Sequence, residues 1–538
     1  MAESGHEGGG GKRSGGVGAV RWIGLAGGPA AALAVYWLLG GMVGAGDAGL
    51  SEPGRRTAAV AALMASWWLT EALPLSATAL LPVALFPLLG VASIGAATAP
   101  YADRVIFLFM GGFILGLGME RWGLHRRIAL TTVLLVGTRP KAMVFGFMLA
   151  TVMMGAWVSN TATAAMMTPI AVSVVGLVFA RLGLGEFDPH RGRGETGANF
   201  ATCMMLGIAF AASIGGMSTL IATPPNSVLK GTVKAFFGQD LGFGQWMRLG
   251  VPIVAIFMPA AWALLVYVVY PVRLKELPGG REMILDELRS LGPMSRGEWT
   301  VMLVFFCTVA AWVTHGPLAS WLGLYWTDAA GRRVPYLSDE GIAVMAALAL
   351  FVIPVDAKRR VFAMDWKTAE RLPWGILLLF GGGMSLAAAM TESGVTHAIM
   401  EMMTRVGEVP RLALVLIVTT VIVILTQLTS STAVATALLP VLAGAGVGLG
   451  VHPYLLLIPA TMAISCSFML PVATPPNAIV FASGYVTLPQ MARAGLLLNI
   501  VGVVLISLYV YYLGGPLLGV DLGTVPEWAA GVEESGGR

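Results

Sequence analysis

The stretch Val158-Ser159-Asn160-Thr161-Ala162-Thr163 is the most polar point of an apolar run that has no charged residue and no histidine from 142 to 180. At about 1.5 Å per residue, one straight helix of that length would be roughly twice as long as the hydrocarbon core of a bilayer is thick. The run must therefore tilt, turn back or break. A break leaves backbone N–H and C=O groups unpaired, which lipid tolerates only where they face protein, water or a bound ion. The stretch predicts a broken helix with a binding site at the break.

A second copy of this pattern, Thr429-Ser430-Ser431-Thr432-Ala433-Val434, lies in another uncharged run. Position 430 follows position 159 by 271 residues, and a glycine-rich stretch upstream, Phe109-Met110-Gly111-Gly112, recurs at the same offset. Downstream, Ala222-Thr223-Pro224-Pro225-Asn226 recurs as Ala473-Thr474-Pro475-Pro476-Asn477, from 222 to 473, an offset of 251. Three ordered matches indicate a duplicated unit. Duplication with interrupted hydrophobic segments points to a transporter site where the repeats meet.

The composition is that of a polytopic membrane protein. The chain has 538 residues, of which 57% are hydrophobic and 12% charged, and its mean hydropathy is +0.79. Soluble domains carry about 25% charged residues. The net charge of +4 comes from basic residues in short loops, so it does not indicate a nucleic-acid partner. Cys203, Cys307 and Cys466 lie far apart in apolar surroundings and suggest neither a disulfide framework nor a metal site.

The duplicated landmarks divide the chain into segments that share one plan. Each repeat is expected to hold a re-entrant hairpin and then a broken helix, at 104–136 and 142–180 in the first repeat and at 373–406 and 412–449 in the second. Basic residues before the first apolar helix favour a cytoplasmic N-terminus, and we expect a bacterial inner membrane as the location. The expected segments are a disordered tail (1–19), a first spanning helix and loop (20–56), repeat 1 (57–272), a cytoplasmic linker (273–298), repeat 2 (299–516) and a C-terminal tail (517–538).

The polar residues of the two breaks suit ions of both signs. Ser, Asn and Thr provide oxygens for a hard cation such as sodium, and their hydroxyl and amide hydrogens can bind an anion. A half-helix N-terminus adds free N–H groups and a partial positive charge, whereas a C-terminus adds carbonyls. The prolines of the two Thr-Pro-Pro-Asn turns donate no backbone hydrogen bond, which leaves the carbonyls of Ala222 and Ala473 available to a metal ion.

The absence of arginine and lysine from both broken segments predicts cation coupling. A dianion held there would be compensated only by dipoles, hydroxyls and co-bound cations, because an uncompensated charge is costly in a low dielectric. The alternative is that these polar residues only join neighbouring helices by hydrogen bonds. Two motifs, each followed by a Thr-Pro-Pro-Asn turn, favour the binding site over that alternative.

These residues resemble the divalent anion:sodium symporter (DASS) family, which carries dicarboxylates, citrate and sulfate. The closest likeness is in Ser159-Asn160-Thr161, in the two Thr-Pro-Pro-Asn turns and in the segment Ser467-Phe468-Met469-Leu470-Pro471-Val472 that precedes the second turn. The resemblance implies an all-α fold of two inverted repeats with re-entrant hairpins and broken helices. It also implies a homodimer with a scaffold, an elevator-type transport domain and two sodium sites.

The resemblance assigns site residues by position. One departure is Ser431, which stands where the family usually has asparagine. Serine is shorter and offers one oxygen, so the second cation site or the grip on one carboxylate is expected to be weaker. The residues expected to bind the substrate are Ser159, Asn160, Thr161, Ser430, Ser431, Thr432, Thr474 and Pro475. The residues expected to bind sodium are Ser159, Asn160, Ala222, Thr426, Ser430, Ser431 and Ala473.

The function expected from these features is sodium-coupled uptake of C4-dicarboxylates such as succinate, malate and fumarate. Within transport, the alternatives are a sodium-independent dicarboxylate exchanger and a sulfate or citrate carrier. An enzyme would need an activated nucleophile, a metal cluster or a paired acid and base in the membrane. The sequence has no H-E-x-x-H, no G-x-S-x-G and no paired carboxylates in the apolar segments, so we do not expect an enzyme.

Overall fold

The chain is described by a computed structural model that covers residues 15–41, 50–182, 196–274, 280–327, 333–404 and 409–530. Long apolar stretches form helices because, within a membrane, a helix satisfies its own backbone hydrogen bonds. Ten helices of the described part are long and apolar enough to cross a membrane. The helices before the linker are α1 (Gly15–Gly41), α2 (Glu52–Thr70), α3 (Leu75–Thr78), α4 (Leu81–Leu88), α5 (Ile94–Thr98), α6 (Arg104–Arg121), α7 (Leu124–Val136), α8 (Pro140–Gly155), α9 (Asn160–Leu182), α10 (Thr196–Gly215), α11 (Pro224–Phe237) and α12 (Phe243–Ala263).

The second half follows the same plan and adds two short antiparallel strand pairs in its loops. The strands are β1 (Tyr325–Thr327) with β2 (Arg333–Pro335), and β3 (Pro354–Asp356) with β4 (Val361–Phe362). Within the predicted linker lies α13 (Gly280–Ser290). It is followed by α14 (Arg296–Leu322), α15 (Asp339–Val352), α16 (Trp366–Ala369), α17 (Trp374–Glu392), α18 (Val395–Thr404), α19 (Arg411–Leu428), α20 (Ser431–Gly448), α21 (Tyr454–Ile464), α22 (Pro475–Ala482), α23 (Leu488–Tyr509), α24 (Gly515–Leu518) and α25 (Glu527–Ala530).

The predicted duplication appears as two matching series of elements. In the first repeat α8, α9, α10, α11 and α12 follow one another, with breaks after α8 and α10. In the second repeat α19, α20, α21, α22 and α23 follow in the same order, with breaks after α19 and α21. The helices α10 and α21 hold equivalent central positions, and every residue of α21 is buried. The prediction of an all-α polytopic fold with two repeats is confirmed.

In the first repeat, the hairpin does not lie in the segment 104–136 where it was expected. A turn does separate α6 from α7, as the predicted hairpin 104–136 requires, but α6 packs along α15 and α7 packs on α8. Together with α5, α6 forms the candidate span Ile94–Arg121. The predicted hairpin in 104–136 therefore has arms that pack on different partners rather than on each other.

The predicted broken helix 142–180 is itself the segment that turns back. A β-carbon added at Gly207 would lie 3.0 Å from Met148, and one at Gly215 would lie 2.9 Å from the Val152 α-carbon, so α8 runs parallel to α10. The helix α9 starts level with the end of α10 and packs along α10 as well. The tip of the hairpin is therefore at 156–159. The sequence could not show this, because apolar periodicity does not state which neighbour a helix packs on.

The second repeat shows the same difference. The helix α17 is a candidate span on its own, and α18 packs on α20, so the predicted hairpin 373–406 does not close on itself. Both α19 and α20 pack on α21, and the end of α19 reaches the end of α21, where Gln427 contacts Cys466. The hairpin tip of this repeat is Thr429-Ser430, inside the predicted broken helix 412–449.

The outer helices expose large apolar side chains. On α1, Trp22 is 73% exposed and Trp37 is 70% exposed, and on α14, Leu303 and Phe306 are exposed to a similar degree. A soluble protein rarely exposes such continuous apolar faces, whereas lipid solvates them. Together with the ten candidate spans, these faces make the chain an integral membrane protein. The helix α1 begins at Gly15, within the predicted tail 1–19.

Candidate binding site at the helix breaks

The two repeats contribute four helix breaks, and a new helix starts at each. The breaks lie at 156–159, 216–223, 429–430 and 465–474, and the helices that start there are α9, α11, α20 and α22. No charged residue occurs in these breaks or in the first turn of the four helices. The starts of α9 and α20 carry N–H groups without an intrahelical acceptor and a partial positive charge, whereas α11 and α22 start with two prolines and contribute mainly the partial positive charge. The breaks predicted at Ser159-Asn160-Thr161 and at Ser430-Ser431-Thr432 are therefore present.

The tip of the first hairpin leaves backbone donors open. The first intrahelical bond of α9 runs from the Thr163 N–H to the Ser159 carbonyl, at 3.0 Å. The Ser159 hydroxyl accepts a long bond of 3.4 Å from the Ala162 N–H. The N–H groups of Asn160 and Thr161 have no intrahelical acceptor and can bind an external anion. Thr161 is exposed, so a small molecule can reach this N-terminus.

The side chain of Asn160 reaches across to the neighbouring break. A β-carbon added at Gly216 would lie 2.9 Å from both the Nδ2 and the Oδ1 of Asn160. Asn160 Oδ1 is buried and has no hydrogen-bond partner in the described part of the chain. A buried oxygen without a donor is costly unless something else satisfies it, and a hard cation does so. The residues present therefore fit a sodium ion at this position.

Two asparagines that the sequence analysis quoted without giving them a role hold the Thr-Pro-Pro-Asn turns in shape. The Asn226 amide donates to the carbonyls of Gly216 and Thr219, at 2.8 and 2.7 Å. The Asn477 amide donates in the same way to Ser467 and Leu470, at 2.8 and 3.0 Å. Each asparagine thus bonds to the residues ten and seven positions before it. The signal in the sequence was that both turns end in asparagine at equivalent positions.

The threonines of these turns have nearly identical backbone conformations. Thr223 has φ −145° and ψ 143°, and Thr474 has φ −145° and ψ 148°. Both are extended, and the following prolines start α11 and α22 without a backbone donor. The alanines before them, Ala222 and Ala473, are buried, and Thr474 Oγ1 is buried with no partner in the described residues. Pro475 is exposed.

The second hairpin tip is built from hydroxyl groups and one glutamine. The hydroxyls of Ser431 and Ser467 lie 3.4 Å apart. The Gln427 amide donates to the carbonyls of Val423 and Cys466 at 2.8 and 2.9 Å, and its Oε1 accepts from the Met469 N–H at 3.0 Å. Gln427 therefore ties the hairpin tip to the break after α21. Sequence reasoning missed it, because the first repeat has an alanine, Ala156, at the equivalent position.

The remaining predicted residues of this half lie at the same break. Thr426 is fully buried, and its hydroxyl donates to the Val423 carbonyl at 2.9 Å, so its lone pairs stay available as acceptors. Ser430 and Thr432 are half-buried beside the start of α20. Their placement is compatible with a ligand that contacts the N-terminus of α20.

The two half-sites are joined because each turn helix crosses to the other repeat. From the second repeat, α22 packs on α9 and α10 of the first. Reciprocally, α11 of the first repeat packs on α20 and α21 of the second. The rings of Phe210 on α10 and Phe468 in the second repeat's break lie 5.1 Å apart. The crossing places α11, which follows the first Thr-Pro-Pro-Asn turn, against the second hairpin. It places α22, which follows the second turn, against the first hairpin.

Buried charges of the described residues lie away from the breaks. Lys230 on α11 is fully buried, and its Nζ lies 3.3 Å from Asp240, 3.6 Å from Asp339 and 3.3 Å from Glu340. We call these four residues the Lys230 cluster. Burial raises the pKa of the Asp240 carboxyl, but the nearby charges of Lys230 and Arg104 outweigh burial and lower this pKa below its usual value. The cluster sets one cation against three carboxylates, so it supplies no positive charge to the four N-termini.

Comparisons with known proteins agree with this architecture. Residues 31–520 match the family model described as the sodium:sulfate symporter transmembrane region. The chain is 39% identical over 474 residues to the sodium-dependent dicarboxylate transporter SdcS of Staphylococcus saprophyticus, covering 88% of each chain. It is also 39% identical over 467 residues to SdcS of Staphylococcus aureus, covering 86% of each.

Two solved structures share the fold at low sequence identity. MtrF of Neisseria gonorrhoeae superimposes with a TM-score of 0.54 at 15% identity, over 80% of this chain and 85% of MtrF. The YdaH transporter of Alcanivorax borkumensis superimposes with a TM-score of 0.53, also at 15% identity, over 88% of this chain and 100% of YdaH. The fold, the four breaks and the match over nearly all of the described chain establish that the protein belongs to the sodium:sulfate symporter family, the divalent anion:sodium symporters.

Proposed function

We propose that the protein takes up C4-dicarboxylates such as succinate, malate or fumarate together with sodium. The observation that carries the proposal is a set of four helix breaks without basic side chains, paired across the repeats by α22 on α9 and by α11 on α20, with buried side-chain oxygens that lack partners in the described residues. Such a site can hold a dianion only if cations bind with it. The names of the 39% identical relatives, sodium-dependent dicarboxylate transporters, support the same substrate class.

The cations would be held by the C-terminal and turn side of each break. In the first half, Ser159 and Asn160 supply side-chain oxygens and Ala222 supplies a backbone carbonyl. In the second half, the oxygens come from Thr426, Ser430, Ser431 and the Ala473 carbonyl. Oxygen-only ligand sets of this kind suit a hard cation. The bound cations add positive charge next to the substrate.

The dianion would be held by the helix N-termini. The open N–H groups at Asn160 and Thr161 bind one carboxylate, and those at Ser431 and Thr432 bind the other. Thr474 and Pro475 line the substrate from the second turn. Hydrogen bonds from backbone N–H groups to an ionised acceptor are short and strong, so this site needs no arginine.

Alternating access follows from the division of the chain into helices with and without breaks. We assign α8–α12 and α19–α23, with the four breaks, to a transport domain that moves as an elevator. We assign α1–α6 and α14–α17 to a scaffold, whose exposed faces also provide the contacts of a homodimer. The expected location is a bacterial inner membrane with the N-terminus in the cytoplasm, as the basic residues before α1 favour.

The test is counterflow in proteoliposomes with labelled succinate, sulfate and citrate, each with and without a sodium gradient. We expect succinate uptake that depends on sodium and that Asn160→Ala abolishes without lowering the yield of folded protein. Uptake of succinate at the same rate in potassium would identify a sodium-independent exchanger. Preference for sulfate or citrate would replace the substrate class, and normal uptake by Asn160→Ala would remove the first hairpin tip from the site.

A further inference from the structure

The two half-sites differ at a pair of positions that correspond in the duplication. Ser431 follows Asn160 at the offset of 271 that relates the hairpin tips. Ser467 follows Gly216 at 251, the same offset that relates Asn226 to Asn477. The first half therefore has Asn with Gly, and the second has Ser with Ser. From the first half to the second, the hairpin-tip residue becomes shorter (Asn160 to Ser431), and its neighbour in the other break becomes longer (Gly216 to Ser467).

In the first half, the glycine leaves room for the end of the Asn160 side chain. A β-carbon added at Gly216 would lie 2.9 Å from both terminal atoms of Asn160, and 3.2 Å from the Ser213 carbonyl oxygen. Contacts under 3.0 Å are not tolerated between such atoms, so a larger residue at 216 would push the Asn160 carboxamide out of place. Asn160 Oδ1 is one of the buried side-chain oxygens of this half, with Ser213 Oγ and Asn226 Oδ1, that have no hydrogen-bond partner in the described residues.

In the second half, two short side chains meet in the same place. The hydroxyl oxygens of Ser431 and Ser467 are 3.4 Å apart, and Ser467 is fully buried. Ser467 donates its hydrogen to the Ile464 carbonyl at 3.1 Å, which leaves its lone pairs directed elsewhere. If a hard cation binds oxygens at about 2.4 Å, two of them at a right angle are about 3.4 Å apart. The observed separation is that of a long hydrogen bond between the two hydroxyls, and it also fits two oxygens on one cation.

We propose that Ser467 is a ligand of the second sodium site and works with Ser431 in place of the asparagine oxygen that Asn160 gives to the first. The proposal rests on the proposed function, because it assumes that sodium binds at the breaks. The exchange keeps a side-chain oxygen at the second site although Ser431 is too short to reach as far as an asparagine. It also couples the two positions: an asparagine at 431 needs a glycine at 467.

The experiment measures sodium binding without transport. Purified protein in detergent is titrated with sodium chloride at constant ionic strength, with choline chloride as the balance. The readouts are the rise of the melting temperature and the equilibrium binding of radioactive sodium. The variants are Ser467→Ala, Ser431→Asn, Ser467→Gly and the double variant Ser431→Asn/Ser467→Gly. Thr461→Val is the matched control, since Thr461 is also buried and donates to its own helix at Leu457, 2.7 Å away.

We expect Ser467→Ala to raise the sodium concentration at half-saturation of one of two sites by about ten-fold, a size seen when a metal site loses a supporting group. Thr461→Val should leave both sites unchanged. Ser431→Asn alone should weaken the site, because the asparagine side chain would collide with the Ser467 β-carbon. The collision is the counterpart of the one that a β-carbon added at position 216 would make with Asn160. The double variant should bind sodium at least as tightly as the wild type.

Two results would overturn the proposal. One is a sodium titration of Ser467→Ala that matches the wild type. The other, which decides the question even if Ser467→Ala does not fold, is equal sodium binding by Ser431→Asn and by the double variant. A wild-type protein whose melting temperature ignores sodium would instead overturn the proposed function itself, so the two failures are distinguishable.

Discussion

At the scale of single residues, the breaks are held open by side chains that take the place of helix hydrogen bonds. Asn226 and Asn477 each bind two backbone carbonyls, and Gln427 binds two carbonyls and one N–H. A break without such partners would leave those groups unpaired in a low dielectric, at several kcal/mol each. The uncharged polar residues therefore have two tasks, since some shape the breaks and others face the ligand.

Asn226→Ala should destabilise the protein strongly. The substitution removes two buried hydrogen bonds and leaves the Gly216 and Thr219 carbonyls without a donor. We expect a loss of about 2–4 kcal/mol in the free energy of unfolding. Asn199→Ala is the control, because Asn199 is half-buried and donates one bond, to Pro271 at 3.1 Å. Melting temperatures in detergent, without sodium or substrate, measure the difference. A smaller effect for Asn226→Ala than for Asn199→Ala would contradict the assigned role.

His452 should make stability depend on pH. It lies in the loop between α20 and α21, with its ring tilted against Tyr454 and edge-to-face with Trp528. Burial lowers the pKa of its imidazole to about 4, although Asp521 opposes the shift. In the unfolded chain this pKa is about 6.5. Above pH 6.5 both states are neutral and His452 has no effect. As the pH falls from 6.5 to 4, the unfolded state binds more protons and the folded state loses up to about 3 kcal/mol.

The measurement is the melting temperature between pH 7.5 and about 5. His452→Asn keeps an acceptor for the Tyr454 N–H, which His452 Nδ1 accepts at 3.1 Å, but it does not titrate. Its melting temperature should fall less on acidification than that of the wild type. His397→Asn, at a half-exposed position on α18, is the control for replacing a histidine elsewhere in the chain. Equal slopes for all three proteins would exclude His452 as the source.

At the scale of elements, the hairpins and the turn helices are fixed by what they pack on. Both arms of each hairpin pack on a central buried helix, α10 or α21, and the turn helices cross between the repeats. The Lys230 cluster holds α11 near its middle and links it to the start of α15 through Asp339 and Glu340. A helix with a weakly bound start needs such an anchor elsewhere along its length.

Lys230→Met should destabilise α11 and its attachment to α15. It removes the cation that the buried carboxylates of Asp339 and Glu340 share, at a cost of about 3–5 kcal/mol, although Asp339 keeps the Phe243 N–H at 2.8 Å. Lys234→Met, one turn further along α11, is the control. Lys234 is half-buried and bonds to the Gly238 carbonyl at 3.1 Å, so its loss should stay within about 0.5 kcal/mol.

Chemical denaturation followed by tryptophan fluorescence measures both variants. Adding Glu340→Gln to Lys230→Met should recover part of the lost stability, because one unpaired charge is removed. If Lys230→Met were as stable as Lys234→Met, the cluster would not anchor α11.

At the scale of the whole molecule, the proposed transport domain and scaffold meet at α17 as well as at the Lys230 cluster. A β-carbon added at Gly383 on α17 would lie 2.9 Å from Cγ2 of Thr436 on α20, and Gly231 on α11 faces Met384 at 3.2 Å. These close approaches without bulky side chains form a surface along which α11 and α20 could slide. Elevator motion requires that α17 stays while α11 and α20 move together.

A cross-link between Gly383→Cys and Thr436→Cys should therefore stop transport. The β-carbon at 383 lies close enough to residue 436 for a disulfide, whose β-carbons are about 3.8 Å apart. We expect oxidation to abolish sodium-dependent uptake and a reductant to restore it, while the sodium-dependent rise in melting temperature persists. The background carries replacements of the native cysteines, Cys203, Cys307 and Cys466. Each single variant is a control, and undiminished uptake by the fully oxidised pair would rule out relative motion of α17 and α20.

Much of the fold and of the candidate site could be predicted from the residues. Membrane embedding, the duplication and the positions of the breaks depend on local properties: the length of apolar runs, the prolines of Thr-Pro-Pro-Asn, and the polar residues inside otherwise apolar segments. These properties remain the same whatever the segment packs on. For this reason the breaks at Ser159-Asn160-Thr161 and Ser430-Ser431-Thr432 are confirmed as breaks, whereas their roles in binding remain proposals.

What only the tertiary structure decided is which surfaces meet. The hairpin tips lie at 156–159 and 429–430 rather than between α6 and α7 or between α17 and α18, and each turn helix crosses to the other repeat. The pairing of Asn160 with Gly216 and of Ser431 with Ser467 is also visible only in three dimensions. The physical reason is that lipid-facing and protein-facing apolar side chains look alike in a sequence. Partners far apart along the chain are selected by shape and by hydrogen bonds, which exist only once the helices have packed.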